Sequence, residues 1–290
     1  MKYQRKGEIL SGYIVSNYNS MDGTYICPRL LEEAEKRGMR LETVGVFDVI
    51  VTPDAVYNRG KKLEKRDFVI HRFKTGEIRR ALAGLGSVSY NHSTNLEQFN
   101  NKYRQLLHIK SDACRLPVSC ISRLERDHGE IVALVGSPFV AKGLESSEGK
   151  EVFLIRGEGD YLELKSKFLP EKEWLFQEYI RSSHGRDVRI YSIRGEAVAA
   201  MERFSEHDFR ANFVLNGTAK KLEITPPFRQ IARDIYMSTG LDFVGIDLLY
   251  GESGYVFCEI NITPGMLGIE SVTGVNISEK ILDMIEGDFY

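Results

Sequence analysis

LDFVGIDLLYGESGYVFCEINITPGMLGIE, residues 241–270, reads as two apolar strands joined by a turn and closed by a Pro-Gly break. Phe243 to Tyr250 is apolar apart from Asp247, and Tyr255 to Ile260 is apolar apart from Glu259. A carboxylate buried in a strand is costly unless it is paired or holds a metal. Alternation along a strand puts Glu259 and Asn261 on one face and Cys258 and Ile260 on the other. The turn decides whether Asp247 joins the first pair. A two- or four-residue loop pairs Asp247 with Cys258 and turns it away; a three-residue loop, Glu252 to Gly254, sets it opposite Glu259. Gly254 suits the left-handed last position of a three-residue loop, so that turn is expected. Two carboxylates and an amide oxygen then converge, a donor set for a hard cation such as Mg²⁺. With two like charges facing each other, replacing either acid by its amide is expected to hold or raise the metal-free melting temperature.

Upstream of this hairpin lie three arginines, Arg189, Arg203 and Arg210, and a lysine-bearing segment with Lys102 and Lys142. Cations beside a carboxylate cage describe a polyphosphate site, where charge is neutralised by positioning. Neither GxxxxGK[ST] nor GxGxxG occurs, so a P-loop enzyme and a Rossmann dinucleotide binder are excluded. No Ser/His/Asp arrangement and no HExxH stands out.

The 290 residues carry 39 basic and 41 acidic side chains, a net charge of -2 that gives no field to recruit nucleic acid or an anionic membrane. No apolar run approaches a membrane span, and the four cysteines form no CxxC pair. A reduced cytoplasmic protein is the expectation. Strands at Ile9–Ser16, Leu41–Val44, Phe68–His71 and Val88–Tyr90 alternate with helices opening at Pro28 and Glu77, the pattern of a parallel sheet in an α/β lobe. This lobe ends near residue 95. A second, small-sheet lobe follows over 96–180, with a Gly- and Ser-bearing flap at 143–150, and the third runs over 181–290. With few apolar side chains to bury, the flap is expected to be mobile when empty.

QEYI (177–180), GRDVR (185–189), AAMERF (199–204), DFRANF (208–213) and EINITPGMLGIE (259–270) together resemble the ATP-grasp superfamily. Their order, with TGVNI at 273–277, is similar in particular to RimK-type ligases, which add glutamate to the carboxyl terminus of a ribosomal protein. The resemblance runs from about Phe68 to the end and is weak before it. It implies an ATP-grasp fold, α/β with α+β lobes: an amino-terminal pre-ATP-grasp domain and two lobes clasping ATP. By motif position it places Lys102 and Lys142 on phosphates, Glu178 and Tyr179 at the adenine, Asp187 in the nucleotide pocket, and Arg210 and Asn212 near the phosphates. Asp247, Glu259 and Asn261 would hold Mg²⁺ or Mn²⁺, and Arg189, Arg203 and Arg210 would serve the acyl-phosphate chemistry.

The implied activity joins a carboxylate acceptor to an amino-acid amine such as glutamate, the acceptor being a protein or peptide terminus or a small molecule. A homo-oligomer without nucleic-acid or membrane partners is expected. Two other readings use the same residues: a phosphotransferase, or a nucleotide-binding regulator without turnover. This chain departs from the family at its acidic flap, Glu145-Ser146-Ser147-Glu148-Gly149, and at His71, where a proline is typical.

Overall fold

The structure is a computed structural model describing residues 9–17, 22–74, 76–146, 149–211 and 218–290. The chain begins β1 (Ser11–Ser16), α1 (Cys27–Lys36), β2 (Arg40–Gly45), then a small antiparallel sheet of β3 (Val49–Val51), β4 (Val56–Asn58) and β5 (Lys61–Lys62). It continues β6 (Arg66–His71), α2 (Glu77–Ala83) and β7 (Gly86–Tyr90). Strands β2-β1-β6-β7 form the expected parallel sheet: α1 carries the chain from β1 to β2, the small antiparallel sheet from β2 to β6, and α2 from β6 to β7.

His71 ends β6 fully buried, and neither ring nitrogen finds a partner among the described residues. Burial first, and the Arg79 guanidinium second, push its pKa down to about 3. The folded imidazole is therefore neutral where the unfolded one is charged, so stability present above pH ~6.5 is lost as pH falls towards 3. His71→Phe should flatten that acid limb by up to about 1.4 kcal/mol per pH unit. Urea midpoints at pH 7 and 5 check it: the wild type should lose more between them than the variant.

Next come α3 (Ser93–Phe99), α4 (Lys102–His108), β8 (Cys114–Arg115), β9 (Ser119–Arg123), α5 (His128–Val135), β10 (Phe139–Gly143), β11 (Val152–Ile155), α6 (Glu158–Lys167) and β12 (Glu173–Glu178). Strands β11-β10-β12-β9 make a four-stranded sheet whose inner face (Phe139, Trp174, Phe176) packs on α5 and α6. Residues 96–115 belong elsewhere: Leu96, Phe99, Ile109 and Cys114 pack in the carboxyl-terminal core, and β8 pairs with its sheet.

The remainder is β13 (Arg186–Ile193), β14 (Glu196–Phe204), β15 (Thr218–Lys221), α7 (Pro226–Thr239), β16 (Phe243–Gly251), β17 (Gly254–Asn261), α8 (Leu267–Thr273) and α9 (Ile277–Phe289). Six strands order as β15-β14-β13-β16-β17-β8. One face (Val188, Ile190, Ile246, Phe257) packs on α7. At one end of the other, Tyr191 and Phe243 share a core with Ile281 and Leu282 of α9 and with Phe68 and Ile70 of β6. Asn91 ties the two sheets further: its side chain donates to Phe243 O (2.7 Å) and Ile262 O (3.2 Å) and accepts from Phe243 N (2.9 Å).

The β16–β17 hairpin corrects the sequence reading of the turn. Gly251 pairs with Gly254, so the loop is two residues, Glu252 and Ser253. Pairs Tyr250–Tyr255, Leu249–Val256 and Leu248–Phe257 continue that register, and then it shifts by one: Asp247 pairs with Glu259. Cys258 is the extra residue of a β-bulge. Asp247 thus reaches the predicted partner by a different route.

Candidate active site

The polar end of the second sheet face is laid out by register. Arg189 of β13 stands opposite Asp247, Asp187 opposite Arg203 of β14, Asp247 opposite Glu259, and Gly245 opposite Asn261. All of these share one face, since each pair is directly cross-strand and members on one strand are two residues apart. Arg189 donates through Nε and Nη2 to the two Asp247 oxygens, the second at 2.7 Å. Arg203 donates to both Asp187 oxygens at 2.7 Å and lies 3.0 Å from Asp247 Oδ2.

Asp187, Arg203 and Asp247 are all buried. Burial opposes ionisation of Asp247, but Arg189 and Arg203 outweigh it and hold the carboxyl below its usual range. For Asp187 burial wins over Arg203, and the pKa rises. A carboxylate cage among like charges was the sequence expectation; here Asp187 and Asp247 are each paired with guanidinium.

Across the cleft, Lys102 heads α4 with its Nζ 3.6 Å from Glu259 Oε2 and bonded to Ser146 O. Lys142 on β10 is equally buried, its Nζ 3.7 Å from Cys258 Sγ. Burial pushes that thiol up to about 11, with Lys142 only partly offsetting. Lys102 and Lys142 therefore flank the β17 end of the acidic row.

The other residues are dispersed. Arg210 forks onto Asp208 (3.0 and 2.6 Å) and donates to Gly149 O at the base of the flap. Asn212 and the flap tip, residues 147–148, lie outside the described residues. Tyr179 bonds His184 and lines a cleft of about 370 Å³ with Pro138, Leu154, Arg156 and Arg181. A larger cleft, about 530 Å³, lies under the flap between Leu144, Ser146, Lys150 and Lys172. Neither cleft is lined by Asp187, Asp247 or Glu259, which lie on the sheet face where charge is concentrated.

Glu178 is held where two sheets meet. Its carboxylate binds Arg115 and accepts from Val118 N at 2.7 Å. Arg115 belongs to β8 in the six-stranded sheet and Glu178 ends β12 in the four-stranded one, so this pair bridges two sheets at their linker. Nothing in the sequence marked Arg115, because the contact depends on how two distant strands meet. Arg115 is half exposed. Arg115→Ala should weaken nucleotide binding by about 0.2–1 kcal/mol, a few-fold at most, through a looser hinge. Calorimetry with ADP checks this, and a charge-exchanged Arg115→Glu/Glu178→Arg protein should recover the loss.

No group of three or more His, Cys, Asp or Glu poised for a metal occurs among the described residues. The donor set with Asn261 nonetheless fits a hard cation: the carboxylates of Asp247 and Glu259 share a sheet face with an amide whose oxygen, among the described residues, accepts only from Thr263 N (3.2 Å).

A sequence profile described as "RimK-like ATP-grasp domain" matches residues 99–285. The chain belongs to the RimK-like ATP-grasp family. It is 34% identical over 281 residues to a "Probable alpha-L-glutamate ligase" of Serratia proteamaculans (strain 568), covering 92% of this chain and 94% of that one. To the "Ribosomal protein bS6--L-glutamate ligase" of Escherichia coli O139:H28 it is 32% identical, with the same coverage. Among solved structures, the ATP-grasp ligase PsnB complexed with minimal precursor superposes with a TM-score of 0.73 at 18% identity, covering 97% of this chain and all of that one. A RimK domain ATP-grasp protein from Sphaerobacter thermophilus DSM 20745 superposes with a TM-score of 0.68 at 16% identity, covering 94% and 98%. The fold is thus the RimK-like ATP-grasp fold, and the chain is an ATP-dependent, ADP-forming carboxylate–amine ligase.

Proposed function

We propose that this ligase adds an amino acid, glutamate first among them, to the terminal carboxylate of a protein or peptide through an acyl phosphate made from ATP. The observation that carries this reading is the row Asp247–Glu259–Asn261 on one sheet face, flanked by Arg189 and Arg203 and faced by Lys102 and Lys142. Asp247, Glu259 and Asn261 would hold Mg²⁺, with Mn²⁺ as a substitute; the ion supplies charge neutralisation on the phosphate oxygens. Lys102 and Lys142 bind phosphate, and Arg210 steadies the flap base beside it. Arg189 and Arg203 present guanidinium to the acyl phosphate, where negative charge builds up as the amine attacks. The chemistry asks for no side-chain nucleophile, and that agrees with a site built of cations and carboxylates.

The names of the relatives support glutamate as donor, and one of them names a ribosomal protein as acceptor. Residues 1–95, 96–180 and 181–290 are proposed as the three lobes, with 96–115 packed against the third. A reduced cytoplasmic setting suits the four free cysteines. The test is a phosphate-release screen over amino acids and carboxyl-terminal peptides. A ligase releases ADP and phosphate only when both carboxylate and amine are present. ADP without free phosphate would mean a kinase instead, and no release a regulator.

A further inference from the structure

Gly245 has a specific neighbourhood. A Cβ built on it would lie 3.0 Å from Pro264 Cβ, 3.3 Å from Arg189 Cδ and 3.3 Å from Arg189 Nη1. Its φ is outside the left-handed range, so room is what this position requires, not backbone freedom. Carbon pairs prefer about 3.5–4.0 Å, so a methyl group here must push one neighbour aside. Neither is free to give. Arg189 is held by its two bonds to Asp247, and the Pro264 carbonyl accepts from Arg72 Nη2 at 2.7 Å.

The same contacts define what the gap does. Arg189 spends Nε and Nη2 on Asp247 and lies across β16 with Nη1 over Gly245, level with Asn261 in the next strand. Nη1 has no hydrogen-bond partner among the described residues, and it is not sealed from solvent. Among the described residues, it is the nitrogen of this guanidinium that Asp247 does not engage.

We infer that Gly245 is a positioning residue: its missing side chain lets Arg189 lie flat, so that Nη1 is aimed at the carboxyl group being activated. This rests on the ligase reading above and adds to it the residue that sets the arginine's aim. Gly245→Ala leaves the Asp247 fork the choice of tilting or breaking, and in either case Nη1 leaves its place.

The test has two arms. In the first, phosphate release with the best carboxylate and amine found for the wild type is compared in Gly245→Ala. The expected result is a fall in kcat of about fivefold, since the clash asks for a shift of a few tenths of an ångström and misplacing a catalytic group by ~1 Å costs up to 10²-fold. ADP affinity should stay within about threefold and the melting temperature within a few degrees, which a merely structural role would not allow. In an Arg189→Lys background, which has no Nη1, the same substitution should change kcat less than about threefold. Gly157→Ala, where a Cβ meets nothing within 4 Å, is the control.

The second arm does not depend on the reaction. The Arg189 Nε–H resonance of ¹⁵N-arginine-labelled protein, assigned by its loss in Arg189→Lys, should move in Gly245→Ala. A wild type inactive with every substrate pair would sink the ligase reading, and the resonance then decides the geometry. An unmoved resonance, a kcat within twofold of wild type, or an equal loss in the Arg189→Lys background overturns the inference.

Discussion

Glu259→Gln should keep the fold and stop the turnover. The Glu259 side chain is one-third exposed, and its ionic partner among the described residues is Lys102 at 3.6 Å, a distance at which little pairing energy is lost on neutralisation. The melting temperature of the metal-free protein should therefore stay within a few degrees. Activity has no such cushion. A neutral amide is a poor ligand for a hard divalent cation, and removing the ion's charge from the phosphate oxygens costs several kcal/mol in the transition state. A loss of about 10³-fold in kcat/KM, or ~4 kcal/mol, is expected, together with the loss of extra thermal stabilisation by Mg·ATP over ATP alone. A variant keeping a tenth of wild-type turnover would remove Glu259 from the site.

Asp247→Asn should behave differently, and the contrast tests the arginine network. Sequence alone predicts relief of repulsion. The structure reverses the sign, because Asp247 is buried and serves as counter-charge to both Arg189 and Arg203. Neutralising it leaves two largely buried guanidiniums sharing Asp187 alone, the situation in which breaking a buried pair costs about 3–5 kcal/mol. Denaturant midpoints should fall accordingly, with turnover lost as well. Equal stability of Asp247→Asn and Glu259→Gln would mean that the arginines are not held as described.

What could be read from the sequence was local. Two apolar strands, each interrupted by one acid, identified the hairpin and the face that matters, since strand period is fixed. Motif order carried the family. The turn was misjudged because a two-residue loop with a bulge at Cys258 and a three-residue loop without one give the same pairing at Asp247. Turn length and bulge position are not separable from residue types here. The Arg189–Asp247, Arg203–Asp187 and Arg115–Glu178 pairs were illegible for another reason. Each depends on register or on packing between segments 16 to 63 residues apart, which no local pattern encodes.

Asn91 and the core shared by β6, β16 and α9 have a consequence for how the enzyme opens. Three hydrogen bonds at one buried amide, laid over a continuous apolar interior, tie the amino-terminal parallel sheet to the six-stranded one. We expect exchange of ATP for ADP to move the four-stranded sheet about the junction that Arg115 and Glu178 clasp. Chimaeras follow the same logic. An amino-terminal lobe transplanted from a relative to change acceptor choice should work only when it brings an amide at position 91 and a matching apolar surface. A transplanted four-stranded lobe needs only its hinge.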